Sequence, residues 1–336
     1  MYIKVKELQQ CEGKMDFTFQ KYGNLTIAQV ETSKDKIEQP DLATDEKMFI
    51  PPLGSSMIMS GKSGSGKSTL LANFIKDGRF YGKSEQKPNG WFDKIFLFSP
   101  TANGDDIQRS LGIPSNHVFT NLDEAPALLE VILNTQQQKI DKSTADEVPQ
   151  YAVIFDDVIG DLNFMNCREF TRCFYQVRHV NCTIFMCTQH FKRVPRVCRL
   201  QANFVFFFQG SANEVETIVD DFAPPMYSKN EFRNLVNEST KEKYSFLTIN
   251  MKTGWNYRFR KNLDEFINLP RLTSDYGVKE QSKKKRKRDD DTNKHLNEGK
   301  NSKIYDSDNN REDAEVLDTV FEHYAENGTN EQTPDQ

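Results

Sequence analysis

No run of this 336-residue chain is apolar over the ~20 positions that a bilayer-crossing helix needs. The opening residues, Met1-Tyr-Ile-Lys-Val-Lys-Glu7, lack the apolar core of a secretory signal, which argues against export. The six cysteines (Cys11, Cys167, Cys173, Cys182, Cys187 and Cys198) form no C-x-x-C pair, so a zinc-ribbon staple is not expected. They read as reduced, buried thiols of an intracellular protein. A surplus of one charge is missing as well. Residues 276–336 carry 11 basic and 15 acidic side chains, leaving 33 against 34 in the rest of the chain. A near-neutral body does not announce a nucleic-acid binder. Any anionic partner must be held by a local cluster of cations.

The length allows about two domains. A hydrophobic fraction of 37% and a mean hydropathy of -0.70 are low for one globule, and the deficit lies mostly at the C-terminal end. Three regions are expected: a small β appendage over 1–50, a catalytic domain over 51–270, and a disordered charged tail over 271–336. In the appendage, strands are expected near Met1–Val5, Asp16–Gln20 and Leu25–Val30. The tail is too polar to offset the entropy of ordering. It holds the basic run Lys283-Lys-Lys-Arg-Lys-Arg288, which reads as a nuclear-import signal, a nucleic-acid patch or a solvated charge run. Val316, Leu317, Val320, Phe321 and Tyr324 recur at helical spacing there, as in a short docking helix or a chance amphipathic stretch.

The middle region alternates apolar runs with helical patterns, which predicts an α/β domain with a mostly parallel sheet and flanking helices. Strands are expected at Ser56–Ser60, Lys94–Phe98, Tyr151–Phe155, Thr183–Cys187, Asn203–Phe208 and Tyr244–Ile249. Helices are expected at Ser68–Lys76, Leu122–Gln137, Cys167–Gln176, Asn213–Asp220 and Lys229–Val236. The phenylalanines at 204 and 206–208 read as strand core.

The strongest motif is Gly61-Lys62-Ser63-Gly64-Ser65-Gly66-Lys67-Ser68-Thr69, a complete G-x-x-x-x-G-K-S/T phosphate loop between a strand and a helix. Its glycines let backbone N–H groups turn toward phosphate oxygens, and the helix N-terminus adds its dipole. Lys67 is assigned to the β- and γ-phosphates of ATP, and the Ser68 hydroxyl to Mg2+. The strand Tyr151-Ala-Val-Ile-Phe155 ends in Asp156-Asp157. Asp156 is expected at the metal shell and Asp157 at the attacking water. Gln189, at the tip of the neighbouring strand, is placed to touch the γ-phosphate or its water. Asp161 and His190 read better as loop residues. No N-K-x-D motif follows a strand, which disfavours a GTPase. Ser143–Gln150 lacks the L-S-G-G-Q-like signature of an ABC ATPase.

Phe92-Asp-Lys-Ile-Phe-Leu-Phe-Ser-Pro100, Phe155-Asp-Asp-Val158, Arg178-His179, Thr188-Gln189 and Val194-Pro195 through Arg199 follow one another in this order. Together they resemble the genome-packaging ATPases of poxviruses and related large DNA viruses, within the FtsK/HerA group, over roughly residues 50–250. Relatives of that group also occur in virophages and Polinton transposons. The resemblance implies a P-loop NTPase fold of the RecA-like, additional-strand type. It implies a homo-oligomeric ring, usually a hexamer, threading double-stranded DNA into a preformed capsid at a portal-like vertex. It also implies an arginine acting across the subunit boundary, with Arg199 first and Arg178 second. Asp157 departs from the Glu that many FtsK/HerA proteins carry, and matches the viral branch. Arg178, Lys192, Arg193, Arg196 and Arg199 form the local cation cluster suited to phosphate contacts.

The expected function is therefore ATP-driven translocation of double-stranded DNA for genome packaging. A cellular-type DNA translocase or helicase, or an ATP-binding assembly scaffold without turnover, are the alternatives. The expected setting is inside the cell, in the host nucleus or at a virus assembly site. An import receptor for Lys283–Arg288 would be a further partner.

Overall fold

A computed structural model describes residues 38–102, 110–142 and 148–269. The chain divides into two compact units, and every described residue belongs to the unit that contains residues 33–269. The predicted strands at 1–30, the basic run at 283–288, the apolar spacing at 316–324 and Cys11 lie outside the described residues.

Nine strands are described: β1 (Ser56–Ser60), β2 (Lys94–Phe98), β3 (Val118–Phe119), β4 (Tyr151–Asp156), β5 (Cys182–Thr188), β6 (Phe204–Phe208), β7 (Phe246–Asn250), β8 (Phe259–Lys261) and β9 (Glu265–Phe266). They form one sheet in the order β3-β2-β4-β5-β1-β6-β7-β8-β9. Pairing is parallel from β3 through β6 and antiparallel from β6 to β9. Strand β5 lies between β1 and β4, which is the additional-strand arrangement expected of the fold.

The central strands are apolar on both faces because both faces are covered. Along β4, Tyr151, Val153 and Phe155 enter one core and Ala152 and Ile154 the other. Strand β6 alternates likewise: Val205 and Phe207 on one side, Phe204, Phe206 and Phe208 on the other. The first core receives helix α2 (Ala125–Lys142), α3 (Arg168–Gln176), α5 (Ala212–Phe222) and α6 (Lys229–Ser239). The second receives α1 (Lys67–Lys76) through Leu70, Leu71, Phe74 and Ile75.

Several boundaries differ from expectation, and three of the shifts have a clear local cause. Helix α2 starts at Ala125 rather than Leu122, because Pro126 has no N–H and fits only in a first turn. Cys167 lies just outside α3, where its Sγ accepts the N–H of Phe170 as the cap. Strand β7 begins at Phe246 rather than Tyr244, because residues 242–245 turn, with Ser245 N–H donating to Glu242 O and Tyr244 at φ 68°.

Part of the segment before residue 51 is described as well. Residues 38–50 contain a single helical turn, Asp41–Thr44, and Ala43 and Ile50 are buried in the second core. This segment is pinned by Arg260 in β8, which is wholly buried. Its guanidinium donates to the carbonyls of Lys47, Met48, Leu263 and Tyr257 and lies 4.8 Å from the ring of Phe266. Burial pushes its pKa down to about 10, which leaves it charged at neutral pH. Replacing it orphans several carbonyls at once. Arg260→Met is expected to lose about 3 kcal/mol of stability, read as a lower urea midpoint. A midpoint equal to wild type would show that the 38–50 segment does not depend on this anchor.

Candidate active site

The parallel register brings three strand ends level. Ser60 at the end of β1 pairs with Thr188 at the end of β5, and Asp156 at the end of β4 pairs with Cys187. The phosphate loop, the two aspartates and Gln189 all leave the sheet at that edge, where open α/β sheets bind ligands.

The loop is held from both sides. Gly61 N–H donates to Thr188 O at 3.1 Å, and Lys62 N–H donates to Gln209 O at 3.3 Å. A Cβ added at Gly61 would stand 2.5 Å from Phe208 Cβ, so only glycine lets the loop pass this close to β6. Gly66 turns the chain into α1 at φ 108°, a conformation L side chains avoid. Phe208 is strand core, as expected, and it is also the wall of the loop.

Lys67 is the first residue of α1 and is buried. Its Nζ donates to the carbonyls of Gly61 and Lys62, both at 2.8 Å, which uses two of its three donors. Burial pushes its pKa below the usual lysine value, while Cys187, Asp156 and Asp157 pull it back up. The ammonium therefore shares its field with both predicted carboxylates. Ser68 and Thr69 are exposed on the first turn of α1. Ser65 Oγ is buried with no hydrogen-bond partner.

Asp156 is buried at the end of β4. Asp157 follows in the left-handed region at φ 53°, and its N–H donates to Cys187 O at 3.2 Å. Aspartate tolerates that region better than most residues because its short polar side chain can bond locally. Gln189 Nε2 lies 3.5 Å from the Asp157 carboxylate, so these two residues meet at the surface of the site. Asp161 caps the turn at Leu162–Asn166 through the N–H of Phe164 and so is structural. Ser68 and Asp156 offer only hard oxygen donors, which suits Mg2+.

Arg199 requires a correction. It does not point out toward a neighbour but is buried in α4 (Arg196–Gln201). Its Nε donates to Asp221 at 2.7 Å, and its Nη1 donates to the carbonyls of Val194 at 2.6 Å and Lys192 at 3.1 Å. The guanidinium also stands 5.5 Å from the ring of Phe191. Pro195 opens the helix, and one turn later Arg199 folds back onto the loop that precedes it. Lys192, Arg193 and Arg196 are exposed beside it, so only part of the predicted cation cluster faces solvent. The backbone of Arg178 lies in the turn Val177–His179.

The Asp221 carboxylate is 4% exposed and is also met by exposed Arg196 at 3.4 Å, so removing Arg199 would leave a buried charge with only that longer, solvent-side pair. Arg199→Ala is expected to cost about 2–3 kcal/mol of folding stability, from the lost charged hydrogen bond and the carbonyls left without a donor, measurable by denaturant unfolding of the isolated subunit. Wild-type stability would return Arg199 to the arginines free to act across a boundary.

Among the described residues there is no disulfide; the thiols of Cys173, Cys182, Cys187 and Cys198 are buried and Cys167 is half-buried. Burial holds the Cys187 and Cys173 thiols well above the usual cysteine range, so they are inert. No described helix is long and apolar enough to cross a membrane.

Among curated proteins, the chain is 26% identical over 206 residues to the uncharacterized protein 088R of Invertebrate iridescent virus 3, covering 61% of this chain and 73% of that one. Among solved structures it is similar to B204, the DNA-packaging ATPase of Sulfolobus Turreted Icosahedral Virus, at 13% identity and a TM-score of 0.45. That match covers 62% of this chain and 97% of B204. The cytoplasmic domain of the type VII secretion ATPase EccC of Thermomonospora curvata matches at 12% identity and a TM-score of 0.41, covering 63% of this chain and 25% of that one. The family profile of the poxvirus A32 protein matches residues 54–251, from just before β1 to just after β7, and the chain therefore belongs to that family.

Proposed function

We propose that this protein hydrolyses ATP to drive double-stranded DNA into a viral or virus-like capsid. The observation that carries the reading is the meeting of Lys67, Asp156, Asp157 and Gln189 at one sheet edge in a member of the poxvirus A32 family. Backbone N–H groups of residues 61–69 would receive the phosphates, as in other phosphate loops. Lys67, already desolvated, has a donor left for the γ-phosphate. Ser68 and Asp156 would hold Mg2+, which when bound neutralises charge on the phosphates. Asp157 accepts a proton from the attacking water. Gln189 orients that water and, through its contact with Asp157, reports whether the γ-phosphate is present.

A ring of identical subunits fits this chemistry, because among the described residues no arginine contributes to the field at Lys67. With Arg199 committed inside its own fold, Arg178 is the residue proposed to act from the neighbouring subunit. Exposed Lys192, Arg193 and Arg196 would meet DNA phosphates independently of sequence. The capsid contact is assigned to the vertex that DNA enters. In the tail, Lys283–Arg288 is proposed to engage a nuclear import receptor. A reporter fused to residues 276–295 should then accumulate in nuclei and disperse when the six basic residues become Ala.

Lys67→Ala is expected to abolish ATP turnover while leaving a folded protein, since it removes a buried charge whose desolvation is unfavourable. Asp157→Asn should bind ATP but lower the hydrolysis rate by roughly a hundredfold or more. Double-stranded DNA should stimulate the wild-type rate. Normal turnover by folded Lys67→Ala protein would refute the assignment of this site. Strand separation would favour a helicase, and turnover indifferent to DNA would favour an assembly scaffold.

A further inference from the structure

The phosphate loop continues into a cleft of about 510 Å3 whose far side is made by residues outside the motif. One wall is aromatic, made by Phe208, Tyr244 and Phe246, with the rings of Phe208 and Phe246 only 4.9 Å apart. The other wall is α1, from Gly66 and Lys67 to Thr69, Leu70 and Asn73. A cleft of this size, apolar with a few polar groups, suits a small planar ligand.

Tyr244 is the unusual residue. It is 57% exposed, and its backbone sits at φ 68°, a true outlier for a bulky side chain. The turn that holds it there carries the ring against the loop: a Cβ placed on Gly66 would be 3.5 Å from Tyr244 Cδ1. Lys243 Nζ stands 4.7 Å from the ring centroid, and an ammonium on one face of the ring leaves the other face for a stacking partner. Across the cleft, the Asn73 amide has a defined orientation. Its Nδ2 donates to Thr69 O at 2.7 Å, one turn back on the same helix. A carbonyl can only be met by the amide nitrogen, so Oδ1 faces away and can only accept.

We propose that this cleft is the nucleobase site, that the Tyr244 ring stacks on the base, and that Asn73 Oδ1 selects adenine by accepting from its exocyclic amino group. Guanine in the same position would set its carbonyl oxygen against Oδ1, acceptor against acceptor, and be rejected. The inference rests on the reading of residues 61–69 as a phosphate loop. It adds the two residues that determine which nucleotide the loop receives.

The test measures equilibrium binding of ATP, GTP and inorganic tripolyphosphate to the full chain and its variants. Tripolyphosphate engages the phosphate loop without a base, and so checks both the fold and the loop. Tyr244→Ala is expected to weaken ATP roughly tenfold, the magnitude of one lost base–aromatic stack, with tripolyphosphate unaffected. Tyr244→Phe should restore ATP affinity. Asn73→Leu should lower the ATP-to-GTP preference by roughly fivefold, again with tripolyphosphate unchanged. Wild-type ATP affinity in Tyr244→Ala, or an unchanged preference in Asn73→Leu, would overturn the assignment. If wild-type protein binds neither ATP nor tripolyphosphate, the phosphate-loop reading itself fails and the base site falls with it.

Discussion

Strand β5 lies hydrogen-bonded between β1 and β4, and the chemistry of this protein depends on that pairing. Parallel register aligns Met59, Cys187 and Asp156 across three strands, so the chain leaves the sheet three times at one level. At those exits stand the phosphate loop, Gln189 and the two aspartates. A register slip of one residue would turn every core side chain of β5 to the wrong face, which the paired cores on both sides forbid. The catalytic geometry is thus enforced by burial far from the catalytic groups.

The loop itself is shaped by contact rather than by local preference alone. Gly61 passes so close to Phe208 that no side chain fits, and Gly66 completes the turn in backbone that only glycine adopts readily. The same aromatic side chain supports the sheet and walls the cleft beside the loop. Core and site share atoms here, so the Phe-rich strand β6 serves two purposes without a motif of its own.

Buried arginines supply much of the remaining order. Arg260 ties residues 47 and 48 to the antiparallel edge of the sheet through backbone carbonyls. Arg199 ties α4 to Asp221 in α5 and to the loop before it. Guanidinium groups suit this work because their planar fork satisfies several acceptors at once and their charge survives burial. An arginine in sequence therefore reads alike whether it closes a fold or serves a substrate.

The sequence by itself determined the phosphate loop, the paired aspartates, the central parallel strands and their helices. These features are local: a glycine pattern, a strand-length apolar run and a 3.6-residue period each follow from a few neighbouring residues. Tertiary structure decided what depends on distant partners. It set the place of β5, the antiparallel turn of β7, and the burial of Lys67 against carbonyls of its own loop. It made Arg199 a structural lock, because Asp221 is 22 residues away and only folding brings it near. It also brought Tyr244 beside Gly66, across 178 residues of chain, where nothing in the local pattern around Tyr244 points to the phosphate loop. Local patterns encode which elements form; which side chains end up facing one another is set by how those elements pack.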